Sequence, residues 1–267
     1  MVDSAAPSRP PGNGSATSLT PAHVAATAHV FVERLDDRIT LDGDDGHHLQ
    51  RARRVRAGET VTAADGYGRW RVFTVTAAEK GRVELQALTD LAHEPRLTPR
   101  LTVACSLTKG EKPELVVQKL TELGVDRILL VAAARSVVRW DDDKVGAAIE
   151  RLQRVAREAG AQSRRARVPV VDGPVAATEV AAMPGLIVAT VDGVAAAELA
   201  VPPGGEWVVV VGPEGGFDAS EDAAFGHAPR LAVGPFVLRA ETAAIAVSAA
   251  LAGRRTFLSH EFDRREW

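Results

Sequence analysis

Cysteine is almost absent from this 267-residue chain, and the only one, Cys105, excludes an internal disulfide. It lies in the apolar run of residues 101–107, so a small buried side chain is expected there rather than a nucleophile. No uninterrupted apolar stretch approaches the roughly 20 residues that a membrane-spanning helix requires. The opening Met1-Val2-Asp3-Ser4-Ala5-Ala6-Pro7 has neither the basic start nor the apolar stretch of a secretory signal, and a cytoplasmic location is expected. A strong excess of one charge is lacking too: the formal net charge of −3 does not mark a nucleic-acid binder. The histidines (His23, His29, His47, His48, His93, His227 and His260) are too scattered for a metal site, and no metal is expected.

Several nucleotide and hydrolase signatures are missing as well. A P-loop needs a lysine followed by Ser or Thr after its glycines, and Gly215-Gly216-Phe217-Asp218 has neither. No strand, Gly-x-Gly-x-x-Gly and helix occur in succession, which argues against a Rossmann dinucleotide site. Asp65-Gly66-Tyr67-Gly68 leads into a strand and reads as a hairpin turn. There is no Gly-x-Ser-x-Gly elbow of the α/β hydrolases.

What is present organises into segments. Residues 1–28, rich in Pro, Ser, Gly, Ala and Thr, are expected to be a disordered extension. From 29 to about 91 the pattern is β-like, with strands expected at 30–32, 59–63, 70–76 and 83–88 and one helix at about 44–54. The two prolines of His93-Glu94-Pro95-Arg96-Leu97-Thr98-Pro99 mark a stiff linker. After Arg100, strands and helices alternate, as in a parallel α/β sheet. Strands are expected at 101–107, 127–132, 186–191, 206–211 and 231–233. Helices are expected at 113–123, 144–162, from 220, and at 241–252 with a stop at Gly253.

Two clusters of arginine stand out: Arg51, Arg53, Arg54 and Arg56, and then Arg151, Arg154, Arg157, Arg164, Arg165 and Arg167. Phosphate binding is the expectation, with a solvated face in an arginine-rich chain as the plain alternative. The four valines Val208-Val209-Val210-Val211 read as a strand buried on both faces. They run into Gly212-Pro213-Glu214-Gly215-Gly216-Phe217, where backbone can approach a ligand at the carboxyl end of a strand. The alternative is a tight strand-to-helix connection without a ligand.

This turn, together with Leu238-Arg239-Ala240-Glu241-Thr242-Ala243, resembles the cofactor loops of the RsmE family. These are SPOUT-class methyltransferases acting on N3 of one uridine, 1498 by family convention, in 16S rRNA of the small ribosomal subunit. Lys109-Gly110-Glu111-Lys112 followed by Val117-Gln118-Lys119-Leu120-Thr121-Glu122-Leu123-Gly124-Val125 is similar to the family's first α/β unit. Ala134-Arg135-Ser136-Val137-Val138 and Gln162-Ser163-Arg164-Arg165-Ala166-Arg167-Val168-Pro169 resemble later segments, and His48, Arg51, Arg54 and Gly58 fit its N-terminal RNA-binding module. The N-terminal extension, His29 in place of an arginine, Gly160-Ala161 and Ala52-Arg53 depart from the family pattern, on the RNA side more than in the cofactor loops.

The resemblance implies an α/β protein with a small PUA-like β-barrel at 29–92, a linker at 93–100 and a SPOUT domain with a trefoil knot at 101–267. It also implies a homodimer with active sites at the subunit interface. S-adenosylmethionine would be held by main-chain groups of three loops: around Thr190; at Gly212, Pro213, Glu214, Gly215 and Gly216; and at Leu231, Val233, Gly234, Leu238 and Thr242. His48, Arg51, Arg54, Arg164, Arg165 and Arg167 would contact the 16S rRNA of the 30S subunit. The uracil N3 proton is weakly acidic, so a cation near the uracil carbonyls would favour the anion. Arg239 is the first candidate, with an ion pair to Glu241 as its alternative. Glu214 or Glu241 is placed to accept a proton, to favour the sulfonium, or simply to cap a helix. Two competing readings are another SPOUT RNA methyltransferase, acting on ribose 2′-O or a tRNA base, and a non-catalytic RNA-binding assembly factor.

Overall fold

The computed structural model describes residues 25–43, 46, 49, 54–79, 81–106, 112–136 and 142–265. The helix expected at 44–54 and most of the expected extension lie outside the described residues. Two six-stranded sheets are formed. In the first, β1 (Ala28–Phe31), β3 (Thr60–Ala64), β4 (Arg69–Glu79), β5 (Arg82–Ala87) and β2 (Arg38–Leu41) lie side by side in that order, and β6 (Ala92–His93) adds to β4. β1 is parallel to β3, and the other pairings are antiparallel. Alternate residues Val61, Ala63, Phe73, Val75, Val83 and Leu85 meet in one core, as the two-residue period of strands requires. β2, the segment Arg-Ile-Thr-Leu, is not among the strands expected from the sequence. Asp65 through Gly68 form the expected hairpin, with Ala64 paired to Trp70 across it.

The second sheet is parallel throughout. Its order is β12 (Arg230–Leu231), β10 (Leu186–Val194), β11 (Glu206–Val211), β7 (Arg100–Ser106), β8 (Arg127–Ala132) and β9 (Val170–Ala176). Helices α1 (Lys112–Glu122), α2 (Asp142–Gln162), α3 (Ala177–Ala181), α4 (Ala219–Phe225) and α5 (Ala240–Arg265) cover it. Val103, Ile128, Leu130, Val209 and Val211 pack toward α1, α2 and α5, while Ala104, Leu129, Val131, Val208 and Val210 pack toward α3 and α4. Both faces are therefore buried, which is why these strands read as unbroken apolar runs. β9 and α3 escaped the sequence reading: Val170–Ala176 contains Asp172, Gly173 and Pro174, which look like a turn.

One expectation needs correction. α5 does not stop at Gly253 but continues to Arg265. A mid-helix glycine costs only about 1 kcal/mol relative to alanine. Here it is flanked by buried Leu251 and by Arg255, which is 1% exposed one turn further on, and these hold the helix to the sheet.

Arg255 donates to an Asp126 carboxylate oxygen at 2.7 Å and to the Gly124 carbonyl at 2.7 Å. Arg165 reaches the same place from the strip after α2, donating to the Thr121 and Val125 carbonyls at 2.7 and 3.1 Å. These carbonyls lie in the last turn of α1 and just beyond it, where a helix leaves acceptors unsatisfied and attracts cations. The same strip joins the first sheet. Gly68 N–H donates to the Ala166 carbonyl at 3.0 Å, Val168 N–H to Gly66 at 2.9 Å, and Arg164 to Ala26 at 2.6 Å. His29 sits between Thr62 Oγ1, at 2.7 Å from Nδ1, and the Arg165 carbonyl, at 3.0 Å from Nε2.

Replacing Arg255 with alanine leaves Asp126 without this partner and the Gly124 carbonyl without a donor, and we expect a loss on the order of 3 kcal/mol. Guanidinium denaturation reads this directly; a loss under about 1 kcal/mol would show that the helix end does not need the guanidinium.

Candidate functional site

The order of the parallel sheet reverses at β7, with β8 and β9 on one side and β11 and β10 on the other. Crevices at the carboxyl ends of strands beside such a reversal are where open α/β sheets bind ligands. A cleft of about 490 Å³ lies at the ends of β10 and β11. Its walls come from three segments: Val188 to Asp192, Val211 to Phe217, and the loop that carries Val233, Gly234, Phe236, Val237 and Leu238 into α5.

The middle wall is shaped by local rules. Gly216 N–H donates to the Pro213 carbonyl at 2.9 Å, closing a tight turn that needs φ of +68° at Gly216. A Cβ on Gly212 would come within 3.1 Å of the Phe217 ring, so the strand can enter the turn only as glycine without moving that ring. Asp218 then caps α4, accepting from the Ser220 and Glu221 amides at 2.8 Å each. Those bonds, the Glu221 amide first, hold the Asp218 carboxyl below its ordinary value. Glu221, itself buried, returns a bond from the Asp218 amide at 2.9 Å and accepts the Ala134 amide at 2.8 Å, which ties the turn to the end of β8.

Beside this wall, Lys112 stands between two carboxylates, 3.4 Å from Glu214 and 3.2 Å from Glu241. Its bond to Glu241 raises the ammonium above its ordinary value. Burial alone would raise the Glu241 carboxyl, but its own amide in the first turn of α5 and the Lys112 ammonium outweigh that and hold it low. The partner of Glu241 is thus Lys112, and Arg239 adds only a longer-range attraction. Arg239 is exposed at the entry to α5, where its carbonyl accepts the Ala243 amide at 2.8 Å.

The structure gathers Thr190, Gly212, Pro213, Glu214, Gly216, Val233, Gly234 and Leu238 around one cleft. It sets others apart: Gly215 packs on Arg135, the Leu231 side chain lies in the core, and Thr242 is exposed on α5. Sequence reasoning missed Arg135, Asp192, Asp222, Arg230, Phe236 and Val237 as cleft residues. The sequence assigns no role to Lys112. The one available signal was the exposed-looking apolar pair Phe236-Val237 in a short loop. Burial pushes the Cys105 thiol up to about 12, which fits a packing role.

On the RNA side, His48 and Arg51 lie outside the described residues. Arg54 is exposed, with φ of +50°. The Arg164, Arg165 and Arg167 guanidiniums donate to main-chain carbonyls within the chain, of Ala26, of Thr121 and Val125, and of Glu94 and Tyr67 respectively. These donors brace the joint between the sheets, so they are not available to phosphate as placed. Exposed guanidiniums on α2, such as Arg154 and Arg157, are. Among the described residues no group of His, Cys, Asp and Glu could hold a metal, and no helix is long and apolar enough to cross a membrane.

Residues 95–252 match the model of an RNA methyltransferase domain, and residues 41–88 that of an RNA methyltransferase PUA domain. Ribosomal RNA small subunit methyltransferase E of Mycobacterium bovis is 37% identical over 228 residues, covering 80% of this chain and 87% of that protein. The Bacillus subtilis protein of the same name is 29% identical over 222 residues, covering 76% and 85%. The crystal structure of the Neisseria gonorrhoeae enzyme of that name, bound to S-adenosyl methionine, superposes with a TM-score of 0.74 at 26% identity, covering 85% of this chain and 97% of that one.

Substituting Lys112 with methionine removes the cation between the two carboxylates, so we expect the Glu241 carboxyl to titrate at higher pH. Since its lowered value marks a charge favoured in the folded state, that contribution is present above the ordinary carboxylate range and lost as pH falls through the folded value. Carbon-13 NMR of the carboxyl follows the change; an unaltered titration would assign the effect to the helix amide alone.

Proposed function

The chain belongs to the RNA methyltransferase family whose members include the ribosomal RNA small subunit methyltransferases E, and from that premise we propose that its target is N3 of one uridine in 16S rRNA within the 30S subunit. It is an S-adenosylmethionine-dependent rRNA methyltransferase with an N-terminal PUA-like domain and a C-terminal α/β domain.

The residues fit the cofactor on one observation above all. The Thr190 hydroxyl oxygen is buried at the cleft wall with no hydrogen-bond partner, although buried polar groups in proteins are nearly always paired. A ligand with polar groups supplies the missing partner. The glycine turn beside it exposes main-chain amides and carbonyls without side chains in the way.

When bound, the cofactor supplies a methyl group already activated by its sulfonium. The protein's work is therefore positioning and charge. Main-chain groups of Gly212, Gly216, Gly234 and Leu238 and the Thr190 hydroxyl orient the adenosine. Glu214 presents a carboxylate at the cleft and favours a cationic ligand there. Arg239, exposed at the cleft's edge, stabilises the uracil anion that forms as the N3 proton passes to solvent water. Glu241 is a poor proton acceptor, because its own amide and the Lys112 ammonium, which hold its carboxyl low, also weaken it as a base. Its role in this reading is to hold Lys112, and through Lys112 the Glu214 turn.

The exposed pair Phe236 and Val237, 76% and 87% accessible on the rim of the cleft, supports a homodimer in which a second copy covers the site. The small residues Ala243, Ala246, Ala249 and Ala250 of α5 would allow close backbone packing there. We also place the division between the RNA-binding and catalytic domains at residues 93–100, keep the trefoil knot as part of the proposed C-terminal domain, and locate the enzyme with its ribosomal substrate in the cytoplasm.

Methyl transfer to isolated 30S subunits, compared with free 16S rRNA and with the modified base mapped by mass spectrometry, tests the target; a methyl on ribose or on another base would overturn it. Arg239→Ala is expected to lower kcat by at least about 100-fold while cofactor binding persists. Normal turnover in that variant removes its assigned role. Thr190→Val should weaken S-adenosylmethionine binding about three- to ten-fold by calorimetry, without lowering the stability of the free protein.

A further inference from the structure

A second cleft, about 470 Å³, opens between the β3–β4 hairpin and α2, away from the cofactor site. Its floor is formed by Val168, Pro169 and Val170, the last 55% exposed. From α2 come Glu150, Gln153, Arg154 and Arg157, spaced to share one face of the helix. From the hairpin comes Tyr67, the one tyrosine of the chain, with 82% of its surface exposed.

An exposed ring on a loose loop would mean little, but this one is held. The Tyr67 amide donates to Asp65 at 2.7 Å, and its carbonyl accepts from the Arg167 guanidinium. Arg167 packs so closely over Gly68, at φ of +108°, that a Cβ there would lie 2.3 Å from it. The main chain on both sides of the ring is therefore fixed while the ring itself faces solvent.

The charges around it are of unequal availability. Asp65 is committed to Arg69 at 2.7 Å and to two amides. Both ends of the Gln153 amide are used, by the Pro169 carbonyl and the Val171 amide at 3.0 Å each. Glu150 is the remaining acid, on the exposed face at one end. Arg154 and Arg157 have no ion-pair partner among the described residues, and Arg157 is pre-oriented by stacking on Phe31, 4.9 Å from the ring centroid. A fixed exposed aromatic ring opposite two uncommitted guanidiniums is the chemistry that binds single-stranded nucleic acid: a base stacks on the ring and phosphate meets the cations.

We propose that this cleft is a nucleotide subsite, taking one unpaired nucleotide of the RNA substrate with its base on Tyr67 and an adjoining phosphate on Arg154 and Arg157. The proposal rests on the reading of the chain as an enzyme of small-subunit rRNA. The volume suits a single splayed-out nucleotide rather than a duplex. The subsite positions RNA and makes no contact with the transferred methyl.

The test uses the full chain, unmethylated 30S subunits and labelled S-adenosylmethionine. Tyr67→Ala should raise KM for the subunits about ten-fold, within what one stacked base contributes, and leave kcat, cofactor affinity and melting temperature as in the wild type. Tyr67→Phe should restore the wild-type KM, because stacking needs the ring and not the hydroxyl. Neutralising Arg154 and Arg157 together to glutamine should reduce the slope of log affinity against log salt by about 0.7, as loss of one phosphate contact requires. An unchanged KM in Tyr67→Ala, or a Phe variant as impaired as the Ala variant, overturns the subsite. Filter binding of the subunits is measured in parallel. A wild type that binds through Tyr67 without transferring methyl defeats the functional reading alone, and one that methylates independently of Tyr67 defeats the subsite alone. A wild type that neither binds nor methylates defeats both.

Discussion

The carbonyl oxygens at the carboxyl end of α1 are the point on which the two halves of the molecule converge. A helix leaves its last acceptors unsatisfied, and this end is buried, so the acceptors must find donors inside the protein. Arg165 and Arg255 supply them from two later parts of the chain, one from the strip after α2 and the other from α5. Burial lowers the Arg165 guanidinium from its ordinary value, and the Glu94 and Asp126 carboxylates act against that. Through Arg165 the helix end governs the strip that joins the first sheet, and through Arg255 it governs α5, whose first turn carries Glu241 to Lys112.

That arrangement gives the arginines of this chain two distinct employments. Guanidiniums with several main-chain acceptors act as internal struts, because five donors in a fixed fork can satisfy several carbonyls at once. Arg154 and Arg157, on the outer face of α2, make no ion pair among the described residues and face outward. A net charge of −3 hides this division entirely. The acidic and basic groups beside the cleft follow a similar logic: Lys112 holds two carboxylates that would otherwise repel each other, and so keeps the glycine turn and the start of α5 in register.

Much of the fold was legible along the chain wherever the physics is local. The valines of β11 read as buried because alternate side chains fill cores on both faces, and Asp65 to Gly68 read as a turn because few other residues fit one. β9 was illegible because Pro174 and Gly173 imitate a turn, and the length of α5 because Gly253 imitates a stop whose cost is offset by packing at Leu251 and Arg255. The Gly212 to Gly216 wall of the cleft was legible as a glycine turn, whereas the place of Phe236 and Val237 on its rim was not, since an apolar pair in a loop does not say what it faces.

By itself the sequence determined the alternation of strands and helices, the two-part organisation and the likeness of the glycine turn and the Leu238 to Ala243 segment to known cofactor loops. These depend on residues close together in the chain. Only the tertiary structure decided which partner each charge would have. Glu241 met Lys112, 129 positions away, rather than Arg239 two positions before it. Arg165 turned inward to Thr121 while Arg154 and Arg157 stayed outside opposite Tyr67. Charge pairing is settled by distance and burial in the folded molecule, and neither is written in the spacing of residues.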